Sequence, residues 1–283
     1  MLTVQIMPAG DLIVEMSVGE LFTDGFYKIP THQRPYMWGP EEALKLLDDI
    51  AEWRKMPQDV YGEHYFLRLI SWSEVGGKRF LQDGQQRLVT LFLIRAAFTK
   101  TLIKNADTDE DRLRTLKSGV AARPGATMGG EPVLRVVDQF QSANEDLELI
   151  ANHALEGATL PPRSASRYKK VFKAVFEWCE NFVTARGLAE FTEFVVYATD
   201  NCKVAVHQVP SEEAGWKVFE LANDRGVDVA AADLLKNKLF GKTEAAHRHE
   251  MTGTWNKMVS DSRDHNLDFD KTLAAALTSL YGN

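Results

Sequence analysis

Arg79-Phe-Leu-Gln-Asp83-Gly-Gln-Gln-Arg87-Leu-Val-Thr-Leu91 reads as a strand, a glycine turn and the start of a helix. Upstream, Tyr65 to Trp72 is apolar and strand-like, and Gly76-Gly77 supplies the turn between the two strands. Downstream, residues 85–103 are apolar on nearly every side, which predicts a buried helix. Two further strands are expected at Phe26 to Ile29, stopped by Pro30, and at Lys203 to Val209. Ser17-Val-Gly-Glu20 has capping-box spacing. Pro40 opens an amphipathic helix over Glu41 to Trp53, with Leu44, Leu47 and Ile50 on one face. Helices are expected at 131–155, 165–186 and 188–200, then at 212–222, 231–240, 244–260 and 268–281. Gly119 to Gly130 reads as a mobile loop.

The fold class is therefore α+β: a small mixed sheet embedded in a mostly α-helical body. The strands at 26–29, 65–72, 79–82 and 203–209 are expected to share one sheet. Residues 1–110 carry most of it and the glycine turn. Residues 111–283 form a helical part that contributes strand 203–209 and the Asn223-Asp-Arg-Gly226 loop, the two parts packing as one unit.

Two readings of Asp83 to Arg87 stand side by side. In the first, Asp83 is a helix N-cap and Gln86, three residues on, reaches back as in a capping box. In the second, the helix start receives a phosphate. Arg87 would lie in the first turn, at the positive end of the helix dipole, where a cation is unfavourable unless an anion sits there. Backbone N–H groups, two glutamine amides and a guanidinium could then meet one phosphate.

Three blocks together resemble the N-terminal domain family of the GmrSD-type restriction endonucleases. Ile29-Pro-Thr-His-Gln-Arg-Pro-Tyr-Met-Trp38 looks like its IPxxQRxYxW signature, and Asp83 to Leu91 looks like its DGQQRLxTL. Phe219-Glu-Leu-Ala-Asn-Asp-Arg-Gly226, continuing to Asp233-Leu-Leu-Lys236, looks like its third block. The resemblance covers roughly residues 17 to 260. It implies a fold similar to ParB and sulfiredoxin, which place a nucleotide's phosphates at a comparable strand–turn–helix. It also implies nucleoside triphosphate hydrolysis linked to cleavage of modified DNA in a restriction or anti-phage defence system. Departures are Gln82, where the family is usually apolar, and Ala230, where it often has a Ser or Thr helix cap.

On this reading Asp83 orients a Mg²⁺ ion or the attacking water, since triphosphate hydrolysis ordinarily needs a metal bridging phosphate oxygens. Arg87 and Arg34 bind phosphate charge, and Gln85 or Gln86 positions phosphate or water. Asn223, Arg225 and Lys236 approach from the C-terminal half. Gln33 and Gly84 complete the nucleotide-binding set. GTP, ATP, CTP and UTP all fit the sequence. A rival reading gives the same pocket a sensing role, for a nucleotide or modified DNA, without turnover. Tyr36 and Trp38 either plug the core or shield the site.

The expected nuclease partner is an HNH-type domain. Residues 264–283 offer one histidine and no metal site, so the nuclease is expected on a continuation of the chain or on a separate protein. A net charge of −7 argues against a dedicated duplex-DNA binder, and DNA is expected to be held mainly through that partner. Arg167 to Lys173 reads as a solvated helix face. Neither GxxxxGK[ST] nor HExxH occurs, and Gly241-Lys-Thr243 lacks the upstream glycine of a P-loop. Cys179 and Cys202 form no CxxC pair. No signal peptide or membrane span is evident, and a cytoplasmic location is expected.

Overall fold

Short apolar segments pair into a six-stranded sheet in the computed structural model of the chain. It describes residues 12–30, 33, 35–105, 109–122, 133–161 and 166–211, and then positions 214, 239, 243, 247, 250, 251, 253–255, 257, 258, 261, 271–273 and 275. The elements run β1 (Leu12–Ser17), α1 (Val18–Asp24), β2 (Tyr27–Ile29), α2 (Pro40–Trp53), α3 (Gln58–Tyr61), β3 (Tyr65–Val75), β4 (Lys78–Asp83) and α4 (Gln85–Lys104). Then come α5 (Glu110–Ser118), β5 (Ala121–Ala122), β6 (Val133–Leu134), β7 (Val136–Asp138), α6 (Gln141–Glu156), α7 (Arg167–Arg186), α8 (Leu188–Asp200) and β8 (Cys202–Val209). The fold is α+β. The four expected strands do share one sheet, in the order β1-β8-β3-β4-β2-β7, joined by β1 and β7 at its edges.

The sheet is mixed. β3 and β4 form an antiparallel hairpin, β8 runs parallel to β3, and β2 lies parallel to both β4 and β7. Because side chains alternate along a strand, the register sorts the residues onto two faces. Ile70 lies beside Val206 and Trp72 beside Leu81, and all four are buried. Tyr27, on the same face, stacks edge-on against Trp72 and Phe22, and Phe22 meets Phe92 of α4. This is the apolar face, covered by the helical body. α4 is its centre: Leu88, Val89, Phe92, Leu93 and Leu102 are wholly buried. At about 1.5–3 kcal/mol per large apolar side chain, that burial explains a helix with no polar stripe.

The capping box Ser17–Glu20 forms as its spacing predicts, and Pro40 stands at the start of α2. One expected helix is corrected. Residues 133–138 are two short strands, not the start of a helix, and α6 begins at Gln141. β7 is fixed by pairing with β2, a long-range contact that overrides local propensity. The basic run at the start of α7 is tied down more than a solvated face would be. Lys169 pairs with Asp146 at 2.7 Å, Lys173 donates to the Pro161 carbonyl at 2.6 Å, and Arg167 donates to the Met37 carbonyl. Both cysteines are buried free thiols, and burial pushes their pKa values up.

The chain divides into two compact units. The first comprises residues 1–30 and 35–210, and holds the whole sheet; the second comprises 31–34 and 211–283. Within the second, Thr243 donates to the Leu239 carbonyl at 2.7 Å and Lys257 pairs with Asp261 at 2.8 Å. Of the mobile loop expected at Gly119 to Gly130, residues 119–122 instead form a turn with Val120 buried and strand β5, paired with β6; the rest lies outside the described residues, as do most of the helices expected after residue 211. Among the described residues no helix is long and apolar enough to cross a membrane.

Candidate functional site

The turn from β4 into α4 is built around Gly84. Its φ is +87°, a left-handed conformation, and it occupies the N-cap position of α4. A Cβ placed there would lie 2.9 Å from Ile70 Cγ1 and 3.2 Å from Ile70 Cα. Glycine thus serves both the turn and the close approach of β4 to β3. The expectation that Asp83 caps the helix is corrected: Asp83 ends β4, and its Oδ1 accepts from the Gly84 N–H at 2.7 Å, one residue too early. The left-handed glycine has taken the cap position, and no side chain caps α4.

Nor does Gln86 reach back as a capping box would. Its Oε1 accepts from the N–H groups of Met37 (2.7 Å) and Trp38 (3.1 Å), and its Nε2 donates to the Pro35 carbonyl at 3.3 Å. One amide therefore clamps the extended segment 35–38 onto the first turn of α4. Tyr36 seals the same joint. Thr90 donates to the Gln86 carbonyl at 2.8 Å, so the Tyr36 hydroxyl, 2.7 Å from Thr90 Oγ1, donates to Thr90. Tyr36 is buried, with its ring centroid 5.0 Å from that of Tyr168, and Trp38 packs against the core. These aromatics are core residues, and two of the sequence blocks meet here.

What remains at the helix start is a set of donors unused among the described residues. The first helical bond runs from the Leu88 N–H to the Gly84 carbonyl at 2.9 Å, so the N–H groups of Gln85, Gln86 and Arg87 have no partner within the helix. Gln85 is 4% exposed, and among the described residues neither its Oε1 nor its Nε2 has a hydrogen-bond partner. Leaving a buried amide unsatisfied costs about 1–3 kcal/mol, and native folds seldom tolerate it without reason. Arg87 spends one nitrogen on the Leu69 carbonyl at 3.0 Å. Burial pulls its pKa down; Asp83 and Tyr65 oppose that shift and the neighbouring Arg68 adds to it.

The register adds residues that the sequence alone did not reveal. Asp83 lies beside Ser71, and Ser71 beside His207. The three form a polar row over two inter-strand steps, about 10 Å at ~4.8 Å each, on the sheet face opposite the aromatic core. Ser71, Ser73 and His207 are all buried. Gln82 is the unmatched residue of a bulge between Ser71 and Trp72, and its Nε2 donates to Ser73 Oγ at 3.1 Å and to the Phe80 carbonyl at 3.3 Å. That polar pairing accounts for Gln82 where an apolar residue is usual. A signal was present in the sequence: Ser71, Ser73 and His207 fall at alternate positions of otherwise apolar strands, but only the register puts them beside Asp83.

The structure thus brings Asp83, Gly84, Gln85, Gln86 and Arg87 together with Ser71 and His207. Gln33, in the second unit, is half-buried. Arg34, Asn223, Arg225 and Lys236 lie outside the described residues. Among the described residues, no three His, Cys, Asp or Glu side chains cluster as a metal site by themselves.

The model of the GmrSD restriction endonuclease N-terminal domain matches residues 18–240, from the start of α1 to beyond β8. The chain belongs to that family. The matched span contains all three sequence blocks and the whole strand–turn–helix. A search of curated proteins finds no match. Membership of the GmrSD N-terminal family places the chain in a restriction, or DNA-defence, context.

Proposed function

We propose that this chain binds a nucleoside triphosphate with its phosphates on the N-terminus of α4, hydrolyses it with Mg²⁺, and so regulates a DNA-cleaving, modification-dependent restriction system. The observation that carries the reading is the buried, uncapped start of α4, where the Gln85 amide has no partner. A buried helix end without a cap needs an acceptor, and a phosphate suits three backbone N–H groups at the positive pole of a twenty-residue helix.

Each residue then has a task. The N–H groups of Gln85, Gln86 and Arg87 and the Arg87 guanidinium hold phosphate oxygens. The Gln85 amide donates to a phosphate oxygen or orients water with its carbonyl. Gln86 acts as a positioning residue, because its amide holds segment 35–38 against the site. The fit to Mg²⁺ rests on the donor set: the exposed Asp83 carboxylate, with the Ser71 hydroxyl beside it in register. One carboxylate is the usual protein share when phosphates and water complete the shell. Bound there, the ion would neutralise charge on the phosphates. Arg34, Asn223, Arg225 and Lys236 remain proposed contributors through the motifs they belong to, and an HNH-type nuclease remains the proposed partner that contacts DNA.

The test is phosphate release from GTP, ATP, CTP and UTP by the purified chain with Mg²⁺. Turnover with at least one of them, abolished in Asp83→Ala with the fold retained, supports hydrolysis. Tight binding without phosphate release would instead support the sensing role. Absence of both binding and release would overturn the proposal.

A further inference from the structure

Arg68 is the one non-glycine residue with positive φ among the described residues, at +61°. It sits where the register of β3 against β8 shifts between Phe66 and Leu69, so β3 carries an extra residue there. A left-handed residue at a bulge is ordinarily glycine, and an L side chain in that conformation strains the backbone. Arg68 is exposed, so packing does not explain the side chain. Among the described residues it makes no hydrogen bond or ion pair. It does lie close enough to Arg87 and to Tyr65 for its charge to act on both. Leu69, the next residue, supplies the carbonyl that holds Arg87. The bulge therefore sets Arg68 one residue from the carbonyl that holds Arg87, with its charge acting on that guanidinium. Two like charges that act on each other repel, and an anion between them turns that repulsion into attraction.

We propose that Arg68 is a phosphate-binding residue, pairing with Arg87 to grip the triphosphate at the start of α4 from the β3 side. The inference rests on the triphosphate reading of that helix start. It goes beyond that reading in assigning a strained bulge residue, on a different element, to the same ligand. Replacing a merely structural arginine at this position by glycine should raise stability and leave triphosphate binding unchanged. Replacing a phosphate-binding arginine should keep or raise stability and weaken triphosphate binding.

The experiment sets Arg68→Gly and Arg68→Lys beside the unaltered chain and Arg87→Ala. The urea midpoint of each is measured, and each is titrated with GTP and with inorganic tripolyphosphate, both with Mg²⁺. Arg68→Gly should keep or raise the urea midpoint while weakening triphosphate binding about tenfold, the loss of one charge-assisted contact. Arg68→Lys keeps charge but not the planar fork, and should fall between the two. A glycine variant that is more stable and binds as tightly as the unaltered chain would overturn the assignment of Arg68, while loss of binding in Arg87→Ala would keep the helix-start reading. Undiminished binding in both variants would overturn both. No binding by the unaltered chain would do the same.

Discussion

Replacing Gln85 by methionine should stabilise the ligand-free chain and cost it its ligand. Both polar atoms of this side chain are buried without partners among the described residues, and the residue is 4% exposed. Methionine is close in length and volume, so the change removes the polar group without opening a cavity. Removing an unsatisfied buried amide should recover about 1–3 kcal/mol. Urea unfolding without nucleotide would show this as a higher midpoint at unchanged slope. With triphosphate and Mg²⁺ present the order should reverse, because the unaltered chain gains binding energy and the variant does not. A ligand-free variant less stable than its parent would refute the reasoning, since it would mean that the Gln85 amide already has its hydrogen bonds in the folded chain.

Gly84→Ala meets both a left-handed φ and the Ile70 backbone at 3.2 Å, and should lose roughly 2–5 kcal/mol of unfolding free energy. Gln86→Ala strands the N–H groups of Met37 and Trp38 and should cost about 2–4 kcal/mol, with faster proteolysis at segment 35–38. Asp138 gives a pH signature. Burial raises its carboxyl pKa, against the Phe140 N–H and Tyr168 hydroxyl that lower it, so the folded chain binds this proton more readily than the unfolded chain. Its contribution is therefore most favourable below the ordinary carboxylate value of 3.8 and diminishes as pH rises from there through the raised folded value. Asp138→Asn should remove that slope from a series of urea midpoints across pH 4–7.

The core was legible where the pattern is local. An all-round apolar run announces α4, short apolar runs and the Gly76-Gly77 turn announce β3, β4 and β8, and Ser17–Glu20 announces the start of α1. What escaped depends on long-range pairing or on backbone dihedrals. β6 and β7 are two and three residues long and exist through their partners, so the local pattern alone reads as helix. Asp83 reads as a cap by residue type, yet the left-handed Gly84 takes that position and shifts Asp83 back into the sheet. Arg68 gives no sign in sequence of its positive φ. Ser71 and His207 join Asp83 only after β3, β4 and β8 are set in register. Gln86 was legible as part of the turn but not as the clamp on Pro35, Met37 and Trp38, because that contact spans about fifty positions.

The central claim is that the open N-terminus of α4 holds phosphate, and Arg87→Ala tests it most directly. Its side chain keeps one hydrogen bond to the Leu69 carbonyl, and burial already disfavours its charge, so the fold loses little without it. The measurement is the melting shift produced by each triphosphate with Mg²⁺, for the unaltered chain and for Arg87→Ala. A clear rise is expected for the unaltered chain with at least one triphosphate. In the variant it should shrink as expected for binding weakened by ~1.5–3 kcal/mol, roughly ten- to a hundredfold. A ligand-induced rise that survives Arg87→Ala at full strength would contradict that claim.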